Sequence, residues 1–274
     1  KKTLNIKGNL IDLSNPIIMG ILNLTPDSFY DGDLFNNKKK ALLKVEKMID
    51  EGAGIIDVGG CSTRPGAEII NEEEEWNRVR EVIKSIRKSF PNIIISIDTF
   101  RSTIVKKSFD IGVDIINDVS GGSFDKKMFS IVGKLGLPYI LMHNRGNPKS
   151  MKNLTSYDNL LEDITLYFAK KIELLQSNGV KDIIIDPGFG FAKTFDQNFT
   201  ILNNLNYFTI LDLPILVGIS RKSFVQKKFN VSIEDSLEAS LKLNKTALEN
   251  HASILRVHDV KETKIMLEEF LKNS

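Results

Sequence analysis

The stretch that decides the fold reads Ile93-Ile94-Ile95-Ser96-Ile97-Asp98-Thr99, a short apolar run that ends in polar residues. A charged segment with helical periodicity precedes it at 72–90, and another follows it at 101–111. The run is almost continuously apolar rather than alternating, as expected for a parallel strand buried on both faces. It therefore predicts one strand–helix unit of an α/β protein.

The same alternation recurs in both directions along the chain. Eight units in 274 residues favour a single closed (β/α)8 barrel of the TIM type, which typically takes about 250 residues. An open doubly wound sheet is also built from such repeats, so the alternation alone does not distinguish a closed barrel from an open sheet. The apolar runs are Ile17–Leu22, Ile55–Val58, Ile93–Ile97, Asp114–Ile116, Tyr139–Met142, Ile183–Ile185, Ile215–Val217 and Ile254–Val257. The candidate helices span 38–51, 72–90, 101–111, 125–135, 158–178, 198–211, 234–250 and 260–272.

The composition gives no sign of a second domain, a nucleic-acid partner or a membrane span. No linker or low-complexity segment interrupts the sequence, so we expect residues 1–274 to form one domain, with Lys1–Leu13 as a short ribbon or strand beneath the barrel. The formal net charge of +2 gives no reason to expect nucleic-acid binding. The single cysteine, Cys61, excludes an internal disulfide, and the apolar runs are too short to cross a bilayer. These features predict a soluble, cytoplasmic protein.

Polar residues gather where the apolar runs end. The carboxyl ends of all the strands meet at one rim of a barrel, and barrel active sites lie there. A carboxylate that directly follows a run of isoleucines is partly removed from water and needs a hydrogen-bond donor. The general polarity of loops does not explain carboxylates at these positions. The rim residues are Asn23, Asp57, Asp98, Thr99, Asn117, Asp118, His143, Asn144, Arg145, Asp186, Ser220, Arg221, Lys222, Ser223, Arg256, His258 and Asp259.

The rim suits two kinds of ligand. Asp98, Asn117 and Asp186 offer acceptors and an amide, which fit a planar heterocycle with several N–H donors and a ring carbonyl. Lys222 and Arg256 add cations in the seventh and eighth units, where barrels frequently hold phosphate groups. The sequence therefore predicts a heterocycle site beside an anion site.

Three loops carry further candidates. The loop from Asn23 to Gly32 contains a Phe29-Tyr30 pair, and the loop from Gly59 to Gly66 is rich in glycine, proline and polar residues. Both are long enough to close over a site. In the sixth unit, Phe189 and Phe191 either form an aromatic wall of the site or pack in the core.

The ordered motifs resemble the signatures of the dihydropteroate synthase family. Each motif is weak alone, but the series is specific and spans about residues 16–260. The matching stretches are Met19–Phe29, Gly59–Ala67, Ile97–Thr99, Ile116–Asp118, Asp186–Phe191, Gly218–Ser223 and Arg256–Asp259.

The resemblance implies a pterin-binding barrel that condenses 6-hydroxymethyl-7,8-dihydropterin pyrophosphate with para-aminobenzoate. The implied catalytic residues are Asp98, Asp186, Lys222 and Arg256. The implied pterin-binding residues are Asp98, Asn117, Met142, Asp186, Phe191, Lys222 and Arg256. Those implied for pyrophosphate are Asn23, Thr63, Arg256 and His258. Those implied for para-aminobenzoate are Phe29, Thr63, Arg64, Pro65, Phe191, Lys222 and Ser223.

The resemblance also implies a cofactor and an assembly. Asn23 would help to ligate Mg²⁺ on the pyrophosphate, the protein would be a homodimer, and the family is a sulfonamide target. Cys61 stands where members usually carry glutamate or another polar residue, and Asn144 and Asn147 also depart from the common pattern. None of these departures falls on an implied pocket position. No nucleophilic role is expected for Cys61, and His143 is expected to be a satisfied loop histidine.

Two other functions remain open on the sequence. A methyltetrahydrofolate corrinoid methyltransferase resembles this fold and has a similar Asp–Asn–Asp pocket, but it needs neither Thr63-Arg64-Pro65-Gly66 nor Ser220-Arg221-Lys222. An inactive pterin-binding subunit would be favoured by the loss of Arg256, Lys222 or the second loop, and all of these are present.

Overall fold

A two-stranded ribbon precedes the main sheet. The computed structural model describes residues 3–25, 34–62 and 68–273, without the side chains of residues 34–36 and 234. Strands β1 (Thr3–Ile6) and β2 (Asn9–Asp12) pair antiparallel. The turn between them places Lys7 and Gly8 at positive φ, a conformation that glycine adopts without strain. The predicted amino-terminal ribbon is confirmed.

The next eight strands form a parallel sheet that closes on itself. The sheet order is β8-β7-β6-β5-β4-β3-β10-β9. A parallel bridge between Ile185 and Ile215 joins its two edges, with the Ile185 amide donating to the Pro214 carbonyl at 2.9 Å. The eight-stranded barrel is therefore confirmed. Its strands are β3 (Ile17–Asn23), β4 (Ile55–Gly59), β5 (Ile94–Asp98), β6 (Ile115–Asp118), β7 (Tyr139–Met142), β8 (Ile183–Asp186), β9 (Leu216–Val217) and β10 (Ile254–Val257).

Helices surround the barrel close to the predicted positions, with two differences. The segment predicted as one helix at 198–211 divides into an α-helix and a 3-10 helix (Leu205–Leu211). A short helix, Ser223–Phe229, follows β9 and was not predicted. Within the described ranges, no helix is long and apolar enough to cross a membrane. The α-helices are α1 (Leu34–Asp50), α2 (Glu72–Ser89), α3 (Ser102–Asp110), α4 (Met128–Leu135), α5 (Leu160–Ser177), α6 (Phe195–Asn203), α7 (Ser223–Phe229), α8 (Leu237–Glu249) and α9 (Val260–Lys272).

Two apolar clusters divide the core. The larger lies between the barrel wall and the helices. The smaller, which we call the floor layer, closes the amino-terminal end of the barrel, where the ribbon residues Leu4 and Ile6 share a cluster with an inward-facing residue of each strand. The floor layer leaves the opposite, carboxyl-terminal rim as the open end. Its members are Leu4, Ile6, Leu13, Met19, Ile55, Ile115, Ile140, Ile184, Leu216 and Ile254, with Ile94 partly buried against them.

Candidate active site

The inward-facing polar residues follow from strand alternation. Side chains two or four positions after a floor residue face the same interior, because successive residues of a strand point to opposite faces. Polar residues take these positions in six strands. They are Asn23 in β3, Asp57 in β4, Ser96 and Asp98 in β5, Asn117 in β6, Asp186 in β8 and Arg256 in β10.

Asp57 is the centre of a buried hydrogen-bond network. One carboxylate oxygen accepts from the Ser96 hydroxyl at 2.6 Å. The other accepts from the Asn117 amide at 3.0 Å and from Arg256 Nε at 2.6 Å. Asp57 is fully buried, so both oxygens obtain their hydrogen bonds from protein groups. The carboxylate orients an amide and a guanidinium on opposite sides of the barrel.

Arg256 connects this network to Asp98. Its terminal nitrogen donates to Asp98 Oδ2 at 3.0 Å, so one guanidinium bridges two carboxylates. Burial raises the pKa of Asp98 to about 7, and the Arg256 charge opposes that rise. Asp98 is therefore a rim carboxylate that titrates near neutral pH.

Asp186 and Lys222 form the other side of the rim. Asp186 Oδ1 accepts from the Gly188 amide at 2.7 Å, and burial raises its pKa, opposed first by Lys222. Lys222 donates to the Phe189 carbonyl, and its ammonium lies 4.9 Å from the Phe191 ring centroid. Burial lowers the pKa of Lys222 to about 8, although Asp186 favours the charged form. This side of the rim thus carries an acceptor, a cation that influences it electrostatically, and an aromatic face beside the cation.

The two phenylalanines of this loop take different positions. Phe189 is fully buried and stacks on Phe224 with centroids 6.2 Å apart, so it belongs to the core. Phe191 is partly exposed beside Lys222. The sequence did not distinguish them, and the structure assigns only Phe191 to the rim.

His258 and Ser220 extend the rim beyond Arg256. The Ser220 hydroxyl lies 3.2 Å from His258 Nδ1 and also accepts from the His258 amide at 3.3 Å. Burial, reinforced by Arg256, lowers the pKa of His258 to about 3, so the imidazole is neutral. Arg221 pairs with Asp259 through two nitrogens, at 3.2 and 2.5 Å. This end offers neutral donors and a cation to an anion.

Asn23 lies near Asp98 across Gly59. A Cβ added at Gly59 would lie 3.6 Å from Asn23 Oδ1 and 3.7 Å from Asp98 Oδ2, so both oxygens border the space that the absent side chain leaves. Met142 is buried at the end of β7. Among the described residues, no group of three or more His, Cys, Asp or Glu could hold a metal ion.

The para-aminobenzoate candidates are only partly described. Phe29, Thr63, Arg64 and Pro65 lie outside the described residues. Ser223 is the first residue of α7, directly after Lys222.

The second loop is held by two arginines, one on each side of residues 63–67. Arg78 donates to the Gly60 carbonyl at 3.0 Å, before that stretch. Arg101 donates to the Ile70 carbonyl at 2.5 Å, after it, and pairs with the fully buried Glu75. Helix α2 therefore contacts one described end of the loop through Arg78 and supports the other indirectly, because its Glu75 holds Arg101.

Several residues have roles that the sequence analysis did not assign. Asp57 was noted at a strand end but given no function, although its place two residues before Gly59 on the inward face was a usable signal. Lys193, which nothing in the sequence marked, is buried. His143 is also buried and hydrogen-bonded to Lys193. Burial raises the pKa of the Cys61 thiol, which disfavours the thiolate.

Comparisons with known proteins show what this chain resembles in sequence and in fold. The pterin binding enzyme family matches residues 19–258. A dihydropteroate synthase of Clostridium beijerinckii is 45% identical over 248 residues, covering 89% of each chain. The crystal structure of the Yersinia pestis dihydropteroate synthase with a sulfonamide drug complex superimposes with a TM-score of 0.93 at 38% identity, covering 99% of this chain and 98% of that one.

A second solved structure adds a ligand. The Clostridium difficile dihydropteroate synthase, crystallised in the presence of pteroic acid, matches with a TM-score of 0.89 at 40% identity, covering 95% of this chain and 97% of that one. These matches favour the synthase over the corrinoid methyltransferase. This chain belongs to the dihydropteroate synthase family of pterin-binding enzymes.

Proposed function

We propose that this chain condenses 6-hydroxymethyl-7,8-dihydropterin pyrophosphate with para-aminobenzoate, releasing pyrophosphate, at the rim formed by Asp98, Asn117, Asp186, Lys222 and Arg256. The observation that carries the proposal is the bridge of Arg256 between Asp57 and Asp98. It places a fixed cation between the acceptors that suit a heterocycle and the side chains that suit an anion.

The pterin ring is recognised by groups whose positions are already set. Asp98 and Asp186 accept hydrogen bonds from ring N–H groups, and Asn117, oriented by Asp57, supplies an amide. Lys222 donates to ring acceptors, while Met142 and Phe191 contact the ring faces. Because these groups are buried and hydrogen-bonded beforehand, little reorganisation is needed on binding.

The leaving group develops charge at the other end of the rim. Arg256 and neutral His258 donate to pyrophosphate oxygens, and Thr63 joins them. Donors that are positioned before the reaction stabilise charge in the transition state without reorganisation. Asp98 and Asp186 favour the positive charge that builds on the exocyclic carbon as its bond to oxygen lengthens.

The nucleophile requires little activation. An aromatic amine is neutral and nucleophilic at neutral pH, so no strong general base is needed. Phe29, Thr63, Arg64 and Pro65 would hold para-aminobenzoate together with Phe191, Lys222 and Ser223. Its amine then attacks the exocyclic carbon, the carbon–oxygen bond to pyrophosphate breaks, and the amine releases a proton.

Mg²⁺ is the proposed cofactor, held by Asn23. The ion prefers oxygen ligands and commonly uses one or two side chains with waters and substrate phosphates. The Asn23 Oδ1 atom fits this requirement, because it is an oxygen ligand that borders the space beside Gly59. When bound, the ion would neutralise pyrophosphate charge. Pyrophosphate titrated calorimetrically should bind more tightly with Mg²⁺, and Asn23→Ala should remove that difference.

The proposed assembly is a homodimer, with a cytoplasmic location. Exposed apolar side chains on α5 (Leu166 and Leu174) and on the adjacent 3-10 helix (Tyr207 and Ile210) are compatible with a shared interface. Light scattering coupled to size-exclusion chromatography tests the assembly, and a mass of one chain at micromolar concentration would contradict it.

Pyrophosphate release tests the proposed reaction. The pterin pyrophosphate is supplied with and without para-aminobenzoate and Mg²⁺, and dihydropteroate is quantified by chromatography. We expect release that depends on para-aminobenzoate and a strong loss in Asp186→Asn. Pterin binding without such turnover would overturn the assignment, and wild-type rates in Asp186→Asn would remove that residue from the site.

A further inference from the structure

Lys193 is a buried lysine that the proposed reaction does not use. Burial holds the pKa of its amine well below the usual value, and the charge of Asp186 opposes that shift. Its side-chain nitrogen donates to the carbonyls of Gly188, at 3.0 Å, and Phe191, at 2.9 Å, and lies 3.0 Å from His143 Nδ1. Only 8% of the residue is exposed. Burial, reinforced by the Lys193 charge, holds the pKa of His143 well below its usual value, so a neutral ring nitrogen can accept from the lysine.

Four of the five backbone carbonyls in the loop that Lys193 contacts, residues 188–192, accept a hydrogen bond from a side chain. The segment 188–192 follows β8 and places Gly188, Gly190 and Ala192 at positive φ. Lys193 binds the Gly188 and Phe191 carbonyls, Lys222 binds that of Phe189, and the Tyr157 hydroxyl binds that of Ala192 at 2.8 Å. Such a backbone persists only where its surroundings impose it.

The same loop carries atoms of the candidate site. The Gly188 amide donates to Asp186 Oδ1 at 2.7 Å, while the Gly188 carbonyl accepts from Lys193. Phe191 supplies the ring beside Lys222, and its carbonyl is also bound by Lys193. The His143 amide donates to the Asp186 carbonyl at 2.8 Å. Lys193 is therefore linked to the carboxylate of Asp186 through a single residue, Gly188, and it binds the backbone of Phe191 directly.

A purely stabilising role is a poor explanation for this lysine. Burying an ammonium costs several kcal/mol, and apolar residues of similar volume often stabilise a fold as well or better. A methionine would fill the same space, but it could not bind two carbonyls that point to one place. The specific contribution of the lysine is the geometry of the turn.

We propose that Lys193, together with His143, is a positioning residue that orients Asp186 and Phe191 for the pterin by fixing the turn from Gly188 to Phe191. The inference deepens the proposed function and rests on it. It assigns Lys193 no contact with substrate. Because Arg256 and His258 lie on and just after β10, the pyrophosphate end does not depend on this turn.

Lys193→Met tests the inference through binding. We expect affinity for 6-hydroxymethyl-7,8-dihydropterin, measured by calorimetry, to fall about 10-fold or more, the equivalent of one lost hydrogen bond to a charged group. Affinity for pyrophosphate should stay within about twofold. The exposed Lys170→Met on α5 is the matched control and should leave both affinities unchanged. A stabilising role alone would lower the melting temperature without weakening pterin binding by the folded protein, and that result would overturn the inference.

Variants at His143 keep the test decisive if Lys193→Met does not fold. His143→Asn and His143→Leu both remove the ring, but only asparagine keeps an acceptor for Lys193. Pterin should bind more tightly to the asparagine variant than to the leucine variant, and equal affinities would contradict the inference. Titration of the pterin does not require turnover. A wild-type protein that binds pterin but makes no dihydropteroate would therefore overturn the proposed function without overturning the inference about Lys193.

Discussion

At the residue scale, Asp57 determines the position of two groups that face the substrate. It holds the Asn117 amide and Arg256 from one fully buried carboxylate. Asp57→Asn keeps the shape but removes the charge that pairs with the guanidinium. We expect kcat/KM for the pterin substrate to fall about 10- to 100-fold, the effect of losing a charge-assisted hydrogen bond.

Ser96→Ala is the matched control for Asp57. It removes the neutral hydroxyl that donates to the other oxygen of Asp57 and leaves Arg256 paired. Its cost should be about 1 kcal/mol, or roughly fivefold in kcat/KM. If the two variants lose activity equally, the charge of Asp57 has no special part in holding Arg256.

The pH dependence should be bell-shaped. Asp98 must be ionised to accept from pterin N–H groups, and its pKa of about 7 means that this form is lost as pH falls. Lys222 must be protonated to donate, and its pKa of about 8 means that this form is lost as pH rises. A series from about pH 5 to about pH 10 should show kcat/KM for the pterin falling on both sides.

Asp98→Asn identifies the acidic limb of that profile. Asparagine does not titrate, so the remaining activity of this variant should no longer fall as the pH decreases through 7. A wild-type profile that stays flat below neutral pH would show that Arg256 keeps Asp98 ionised in the free enzyme.

At the element scale, α2 holds the second loop through two consecutive glutamates with different environments. Glu75 is fully buried and binds Arg101 and the Thr99 hydroxyl, the latter at 2.6 Å. Glu75→Gln leaves a partly buried guanidinium without its charge partner, so the free energy of unfolding should fall by about 3 kcal/mol. Chemical denaturation measures this change.

Glu74→Gln provides the comparison on the same helix. Glu74 is half-exposed and pairs with Arg78 at 2.6 Å, one helical turn away. Because the Glu74 carboxylate stays in contact with water, we expect this pair to contribute under about 1 kcal/mol. Similar losses in the two variants would mean that burial of the Glu75 pair has no influence on stability.

Elements were predictable where the local pattern is strong and not where packing decides. The strand Tyr139–Met142 and the helix at 260–272 have the predicted bounds, because a run of apolar residues or a helical stripe is a local property. Helix α7 was missed because Ser223–Phe229 is short, and only its first residue had been assigned to the site. The helix predicted at 198–211 divides at Asn204, which separates the α-helix from the 3-10 helix that begins at Leu205.

At the scale of the whole molecule, the floor layer at one end of the barrel contributes to stability, and the rim at the other end is the proposed binding site. Leu4 is almost fully buried at the closed end, opposite the rim. Leu4→Ala should lower the free energy of unfolding by about 2–5 kcal/mol through the cavity it creates. The exposed Leu10→Ala should have little effect. Both variants should keep the wild-type KM for each substrate, and a raised KM in Leu4→Ala would show that the two ends are coupled.

The sequence by itself determined the repeating unit and which strands end in polar residues. Asp98, Asn117 and Asp186 were identified as site candidates because hydrophobic periodicity and its interruption are local signals. Their specific ligands came from the family resemblance. The tertiary structure alone decided which side chains meet. Asp57 and Arg256 are 199 residues apart and form a 2.6 Å hydrogen bond because the barrel closes with β10 beside β3. Likewise, Phe189 enters the core while Phe191 stays at the rim. Such pairings depend on strand register and on the curvature of the closed sheet, which no short stretch of sequence contains.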